Sequence, residues 1–261
     1  MSSRALKTFE AAIERAEYLE QLYHSFINTR QRGIRADWRR EFNRIMHWNP
    51  NKEIQRVDTK DAIIILKEES SIDPQVFAAA QLSDLLRASL TMAVSAMDAY
   101  YHAKIADNLG KVLRKSPKNY PEKLSNMKMT VLDLITAYKT TSPRQGVSKA
   151  VARVLYYHPL QTTSDISNEL KLIGAEDFWG KVSHELGMRE KTVKNRLKEI
   201  TNRRNRIVHE GDLSRSKKAG NLSRVIEPGF TRDSTDFIKE LVEASEVVID
   251  RCLSPRAGSG P

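Results

Sequence analysis

Apolar residues recur every three or four positions along most of the chain, which is the period of an α-helix with one buried face. The first such stripe predicts a long amphipathic helix from about Ser3 to Thr29. A shorter helix follows and is ended by Pro50, and the β-branched run in EIQRVDTKDAIIILKEE predicts one or two short strands. Residues 1–70 are therefore expected to form an accessory segment of helices and short strands.

Clearer helix signals begin at residue 71. Asp73 is a good N-cap, Pro74 suits the first helical position, and no further glycine or proline occurs before Gly110. This pattern predicts one long helix that ends at Gly110. Two further helices are expected, one from about Glu122 to Lys139 and one that reaches Pro159, and connections of this length favour antiparallel neighbours.

The rest of the chain keeps the helical period. Two short helices each end at a glycine, a longer one runs from about Arg189 to Glu210, and a last one covers about Thr231 to Leu253. Only helices are predicted after residue 70, so the fold class is mainly α, an antiparallel helical bundle over residues 71–253 with the small mixed N-terminal segment. Residues 254–261 are expected to be a disordered tail.

The charge of the chain is positive and unevenly distributed. The net charge is +10, and the segment from Arg189 to Arg206 carries eight basic residues against two acidic ones. Lysine and arginine neutralise phosphates and release counterions, so this distribution indicates a polyanionic partner. The apolar runs are too short for a membrane span and Cys252 is the single cysteine, which together predict a cytoplasmic protein without a membrane partner.

The basic segment leads into the stretch NRRNRIVHEGD at residues 202–212, where Arg204, Asn205 and His209 are candidate catalytic residues. On a helix Asn205 and His209 share a face, and the long side chain of Arg204 can converge with them. An imidazole can act as general acid or base, and a guanidinium can hold a phosphate through several donors. This combination can cleave RNA without a metal ion, because RNA supplies its own 2′-hydroxyl nucleophile.

The spacing alone carries little weight, since Arg40 with His47 and Arg153 with His158 lie at similar separations. His47 and His158 are expected to be packing or loop residues. The third pair differs because a basic segment precedes it and a helix end follows it. No metal-binding motif, P-loop or dinucleotide-binding loop occurs in the sequence, so neither a metal nor a cofactor is predicted.

The motif and its surroundings resemble a known family. R-N-x-x-x-H, here Arg204, Asn205 and His209, is similar to the signature of the HEPN superfamily, and DFWGKVSHELGMREKTVKNRLKEITNRRNRIVHEGD resembles its RiboL-PSP branch. SLTMAVSAMDAYYHAKI is similar to the first core helix of that branch, with Asp98 where a polar residue often faces the motif. The resemblance covers about residues 80–253.

The resemblance implies a helical bundle that forms a homodimer, in which two motifs meet in one cleft, and a metal-independent endoribonuclease activity. In this scheme His209 acts as general acid or base, Arg204 holds the phosphate, and Asn205 orients one of these groups. Asp98 would fix the orientation of Arg204 or His209, or would be a partly buried acid paired with a nearby base. The family is frequent in antiviral defence and toxin–antitoxin systems, which implies a growth-arrest or antiviral role.

RNA contact is predicted for the basic residues around the motif and in the loop that follows it. They are Arg203, Arg206, Lys194, Lys198, Arg215, Lys217 and Lys218.

Two other functions remain open at this point. FWGKVSHELGMREKTVKNRLKEI has the pattern of a helix-turn-helix, which would make the protein a DNA-binding regulator. Alternatively, the chain is a catalytically silent interaction or antitoxin-type module, in which Arg204 and His209 are structural. Residues 1–70 are a candidate site for a protein partner in either case.

Overall fold

The structure is a computed structural model that describes residues 3–114, 117–139, 142–213 and 224–253. Within these ranges the chain is mainly helical. The helices are α1 (Arg4–Phe26), α2 (Ala36–Ile45), α3 (Ala79–Val112), α4 (Glu122–Ser125), α5 (Val131–Tyr138), α6 (Pro143–Tyr156), α7 (Thr163–Leu170), α8 (Phe178–Glu185), α9 (Glu190–Glu210) and α10 (Pro228–Leu253). The strands are β1 (Arg30–Arg32), β2 (Ile54–Asp58) and β3 (Ile63–Lys67). The predicted mainly α fold class is confirmed.

Helix α3 is the centre of the bundle, and α1, α6, α9 and α10 pack around it. Leu90, Ala96 and Leu109 point in three directions around this helix, and all three are buried. A helix that is covered on several sides needs apolar residues on several faces, which explains the long apolar run of α3. Each buried leucine of this kind contributes roughly 1.5–3 kcal/mol to folding.

Helix α1 belongs to the same core. Phe9 and Ile13 are members of the hydrophobic cluster that α3 and α10 share. Glu20 is buried between these helices and accepts hydrogen bonds from the hydroxyls of Ser89 on α3 and Thr235 on α10, both at 2.7 Å. The three helices therefore form one packed unit that spans the predicted boundary at residue 70.

The sheet has the order β1-β2-β3, and both strand pairs are antiparallel. Strands β2 and β3 occupy the predicted β-branched run, with Arg56 opposite Ile65. Strand β1 has three exposed residues and no alternating pattern, so the sequence does not predict it. Ile54, Val57 and Leu66 are buried but lie outside the main hydrophobic cluster. This part of the described chain therefore has a small core of its own.

The start and the end of α3 differ from the sequence prediction. Asp73 is a cap, as predicted, but it begins a 3-10 turn at Pro74–Phe77, and α3 starts only after the extended residue Ala78. The prediction that Gly110 ends the helix is wrong, because α3 continues to Val112. Val112 is buried against the core, and this packing outweighs the low helix propensity of one glycine.

The helix predicted from Glu122 to Lys139 is in fact two helices, α4 and α5. Thr130 starts α5 with a capping box: its hydroxyl accepts a hydrogen bond from the Asp133 amide, and the Asp133 carboxylate accepts one from the Thr130 amide. A cap of this kind stabilises a helix start by about 1 kcal/mol, so it divides the segment. Five large apolar side chains of α5 are exposed: Val131, Leu132, Leu134, Ile135 and Tyr138.

The two short helices and the long basic helix of the prediction are confirmed as α7, α8 and α9. Gly187 and Gly211 follow α8 and α9 with φ of 63° and 60°, a left-handed conformation that glycine adopts at low cost. Among the helices of the described ranges, none has the length and hydropathy of a membrane-spanning segment.

Candidate active site at the end of helix α9

Helix α9 separates the three motif residues between two sides. Leu197 and Ile200 are buried in the bundle core, and Arg204 continues this stripe one turn later. Asn205 and His209 are four positions apart on a different side of the helix, and His209 is exposed in the last turn. The motif therefore joins a core-facing guanidinium to an imidazole that solvent can reach.

The chain turns back directly after His209. Gly211 and Asp212 both have positive φ, 60° and 55°, and the amides of both donate to the carbonyl oxygen of Arg206. Asparagine and aspartate tolerate this conformation better than other residues with a side chain. As a result the Asp212 side chain points into the protein, and the residue is 1% exposed.

Asp212 holds three segments together through its carboxylate. Its Oδ2 accepts hydrogen bonds from Nε of Arg87 on α3, at 2.9 Å, and from Nη2 of Arg203 on α9, at 2.7 Å. Arg87 also donates to the carbonyl oxygen of Arg224 at 2.6 Å, and Arg203 donates to that of Val225 at 3.0 Å. We call Arg87, Arg203, Asp212 and Arg224 the helix-end cluster.

Arg203 therefore has an internal task, although RNA contact is predicted for it. Its side chain is 14% exposed and its donors are directed at Asp212 and the chain before α10. The next residue, Arg204, has a different environment. Its Nη1 donates to Oδ1 of Asn205 at 3.2 Å, and its buried Nε has no hydrogen-bond partner among the described residues. A buried donor without a partner is costly, by about 1–3 kcal/mol.

His209 is free of protein partners in the described part of the chain, where no hydrogen bond or ion pair involves its imidazole. Asn202 lies seven positions before it, two helical turns away on the same side. The imidazole is therefore open to a ligand that approaches from the solvent. Imidazole is the side chain that most often acts as a general acid or base.

Asp98 lies elsewhere on α3. Its Oδ1 accepts a hydrogen bond from the amide of Leu160, in the connection between α6 and α7, and lies 3.7 Å from Nε2 of His102. Within the described residues no polar contact joins Asp98 to Arg204 or His209. The polar residue that α3 brings to the end of α9 is Arg87, eleven positions earlier and about 16 Å along the helix axis.

A cleft of about 520 Å³ lies against the exposed side of α9 and the chain that enters α10. Lys198 and Arg206, both predicted to contact RNA, line this cleft together with Arg203. Lys194, also predicted, forms an ion pair with Glu190 on the surface of the same helix. Arg215, Lys217 and Lys218 lie outside the described residues.

The arginines at the end of α9 crowd one another. Burial lowers the pKa of Arg203, the carboxylate of Asp212 opposes this effect, and the guanidinium groups of Arg87, Arg224 and Arg206 lower the pKa further. Arginine stays protonated at any accessible pH, so the physical consequence is a positive potential at this end of the helix. Such a potential attracts phosphate groups.

The pair α8 and α9 does not stand free as a helix-turn-helix reader. Phe178 and Trp179 on α8 are buried, as are Val193 and Leu197 on α9. Helix α9 has 21 residues and packs on α3. It is a core helix of the bundle with one exposed basic side.

Sequence reasoning did not select Arg87 and Asp212. Asp212 has a local signal, because an aspartate directly after a helix-ending glycine can adopt a positive φ and turn its side chain inward. Arg87 has a weaker one, as a single arginine within the apolar run SDLLRASLTM. The pairing of the two, 125 positions apart, depends on how α3 and α9 pack.

A family model covers the part of the chain that contains the motif. The family model RiboL-PSP-HEPN matches residues 55–250, about three quarters of the chain, and includes the whole of α3, α9 and the helix-end cluster. Neither a curated protein nor a solved structure matches the chain. Since the match covers well over half of the chain, this protein belongs to the RiboL-PSP-HEPN family.

Proposed function

We propose that this protein is a metal-independent endoribonuclease whose active site contains Arg204, Asn205 and His209. The environment of Arg204 is the observation that carries the proposal. Its guanidinium starts from the buried face of α9, and its one polar partner among the described residues is the amide oxygen of Asn205. A phosphate of bound RNA would supply the negative charge that this cation lacks. Membership in the RiboL-PSP-HEPN family supports the same function.

The chemistry uses the nucleophile that RNA carries. The 2′-oxygen attacks the adjacent phosphorus and the bond from phosphorus to the 5′-oxygen breaks, which leaves a 2′,3′-cyclic phosphate and a free 5′-hydroxyl. A neutral imidazole accepts the proton of the 2′-hydroxyl, and a protonated imidazole gives a proton to the departing 5′-oxygen. Arg204 stabilises the negative charge that grows on the phosphate during attack.

A homodimer would supply both imidazoles, one His209 from each copy. Val208 and Leu213 are exposed apolar residues on either side of His209. Apolar side chains beside a catalytic residue are a surface that a second copy can cover. We therefore include a composite site, formed by two copies of α9, in the proposal.

The first test is RNA cleavage in the presence of EDTA by the full chain and by His209→Ala. We expect the wild-type protein to cleave single-stranded RNA and the variant to lose at least about a hundredfold in rate, the usual contribution of an acid or base. His184→Ala is the matched control, because His184 is an exposed histidine on α8, outside the motif. Equal cleavage by His209→Ala and the wild type would reject the proposal.

A second substrate separates this mechanism from a hydrolytic one. A 2′-deoxy substitution at the cleaved nucleotide removes the nucleophile, so cleavage should stop at that position and continue elsewhere. A product that carries a 2′,3′-cyclic phosphate, detected by mass spectrometry, would support the same step. Continued cleavage at the deoxy position would contradict it.

A second candidate function is a protein-interaction module. The exposed apolar side of α5 favours it, because five large apolar residues within one short helix exceed what an isolated surface normally shows. Leu132→Ser with Ile135→Ser would then abolish a protein contact and leave RNA cleavage unchanged. Solution mass by light scattering, measured beside the cleavage rate, distinguishes the two functions.

A ribonuclease of this kind would arrest growth if it acted on cellular RNA, and we propose a role in defence or as a toxin on that basis. Induced expression of the wild type should then stop bacterial growth, whereas His209→Ala should not. Growth that is unaffected by an active enzyme would contradict this role.

A further inference from the structure

The cleft against α9 contains more than the basic residues expected to contact a phosphate backbone. Its lining includes the amide side chains of Asn195 and Asn202, the ring of Phe230 and the carboxylates of Glu199 and Glu227. Its volume of about 520 Å³ falls within the range of roughly 300–1,000 Å³ found for small-molecule sites. A single nucleotide has a size that fits this range.

We infer that this cleft binds one base of a single-stranded RNA, next to the phosphate that is cleaved, with Phe230 as its stacking surface and Asn202 and Asn195 as its hydrogen-bonding groups. The inference rests on the proposed function, because it names a subsite for that substrate. It goes beyond the motif, which acts on phosphate and ribose and carries no base recognition.

Phe230 is positioned for stacking. It lies in the first turn of α10, is partly buried against the core cluster, and lines both this cleft and a neighbouring one. The ring is therefore fixed by the core and still reachable from the cleft. Aromatic rings held in this way are the usual stacking surfaces for unpaired bases.

The polar lining favours a base over a second phosphate. Glu199 and Glu227 would repel a phosphate, but their oxygens can accept hydrogen bonds from the exocyclic amino group of a base. Asn195 and Asn202 offer one acceptor and two donors each, and no hydrogen bond occupies either side chain within the described residues. A base edge presents donors and acceptors of the same kind.

The position of the cleft connects it to the motif. Asn202 and His209 lie on the same side of α9, two turns and about 10 Å apart along the helix axis. Arg206 lies between them, lines the cleft and is exposed. A nucleotide with its base in the cleft can therefore have its phosphate beside Arg206, on the side of the cleft that faces His209. Duplex RNA cannot do so, because its bases are stacked inside the helix.

The test is a binding experiment with RNA that cannot be cleaved. A short fluorescent RNA with 2′-deoxy residues is titrated with the full chain in EDTA, and each base in turn is replaced by an abasic residue. We expect one abasic position to weaken binding by about tenfold, the contribution of one stacked base. Phe230→Leu should weaken binding of the intact RNA by a similar factor, and the abasic replacement should then have no further effect.

Phe26→Leu is the matched control, because Phe26 is also a partly buried phenylalanine on the edge of the core, at the end of α1. It should leave RNA binding unchanged, and circular dichroism checks that both variants are folded. Asn202→Ala provides a second variant that removes no core packing, since Asn202 is exposed. It should weaken binding of RNA with the preferred base more than binding of RNA with the other three.

The outcomes for the cleft and for the catalytic proposal are distinguishable. Suppose that Phe230→Leu loses the abasic effect and that the wild type does not cleave RNA with an intact 2′-hydroxyl. This pair of results would support the base site and reject the ribonuclease. An abasic effect of the same size in Phe230→Leu and wild type would overturn the base site, even if the wild type cleaves RNA. Absence of any RNA binding would overturn both.

Discussion

The two charged clusters that α3 helps to build differ in how completely their charges are matched. In the second half of α3, the buried ammonium of Lys104 lies 2.7 Å from carboxylate oxygens of both Glu246 and Asp250 on α10. Tyr100 donates to the same Glu246 at 2.8 Å. This cluster contains more carboxylates than cations, so the buried ammonium group of Lys104 is fully paired within the protein.

The helix-end cluster has the opposite balance. Arg87 and Arg203 share the carboxylate of Asp212, and Arg206 and Arg224 lie close enough to affect the pKa of Arg203. Arg87 also pairs at 2.9 Å with the carboxylate of Asp84, which is 77% exposed, so Asp212 is the buried carboxylate of this cluster. The comparison shows that the bundle can neutralise a buried cation where the fold requires it. At the end of α9 the guanidinium groups outnumber the buried carboxylates, which agrees with the proposed phosphate ligand.

The largest expected effect tests whether Arg204 acts on RNA or only supports the fold. Arg204→Ala should lower RNA cleavage by about 10²- to 10³-fold, the contribution of one group that stabilises a growing negative charge. The melting temperature should stay the same or rise, because a buried donor without a partner is removed. Arg196→Ala, on the same helix, is the control for cleavage. A variant that unfolds instead would make Arg204 a structural residue.

Asp212→Ala should have the next largest effect, on stability. It leaves the guanidinium group of Arg203 without its carboxylate and Arg87 with only the exposed carboxylate of Asp84, and removing one partner of a buried pair costs about 3–5 kcal/mol. Chemical denaturation measures the free energy of unfolding. Glu190→Ala breaks only the surface pair with Lys194 and should cost less than about 1 kcal/mol. Equal losses for the two variants would show that the helix-end cluster is not a stabilising junction.

The cluster around Lys104 predicts a smaller effect on stability, and this effect depends on pH. Burial alone raises the pKa of Glu246, but hydrogen bonds from Lys104, Ser3 and Tyr100 outweigh burial and hold the pKa below its ordinary value of 4.5. Because the pKa is lowered in the folded state, the stabilisation is present above pH 4.5 and is lost as the pH falls further. Glu246→Gln should make acid unfolding less steep in this range. An unchanged steepness of acid unfolding would show that Glu246 does not contribute to it.

The smallest effect concerns the open side of α9. Arg206→Ala should weaken RNA binding and reduce the slope of log affinity against log salt concentration by about one, the loss of one phosphate contact. Lys194→Ala should change the slope less, because Glu190 already pairs with Lys194 in the free protein. Filter binding at several salt concentrations gives both slopes. A larger change in slope for Lys194→Ala than for Arg206→Ala would show that the RNA backbone runs outside the cleft.

The sequence predicts the parts of this arrangement that depend on local pattern. Helix α9, its end at Gly211 and the placement of Asn205 and His209 on one side follow from the apolar period and a glycine cap. The capping box at Thr130 is also a local signal, but the apolar period continues through it and hides the break between α4 and α5. The end of α3 fails for a different reason, since burial of Val112 overrides Gly110.

The non-local contacts of the site cannot be predicted in this way. Asp98 and Arg87 are both polar residues in the apolar run of α3, and nothing in the local pattern tells which one reaches the end of α9. The rotation and length of α3 decide this, and they are properties of the packed bundle. The different tasks of Arg203 and Arg204 follow from the same kind of fact, because a step of one residue turns the side chain by about 100° around α9.

The double role of Asp212 also bears on how the protein can change over time. Its carbonyl oxygen accepts a hydrogen bond from the Arg224 amide at 2.7 Å. Its carboxylate accepts one from Arg87, and Arg87 also donates to the carbonyl oxygen of Arg224. Asp212 therefore fixes both the point where the chain leaves α9 and the point where it returns at Arg224. Lengthening a chain segment between two fixed points costs only about 0.6 kcal/mol for each doubling of its length. Insertions between these two points should therefore leave the fold and the proposed catalytic residues of α9 in place.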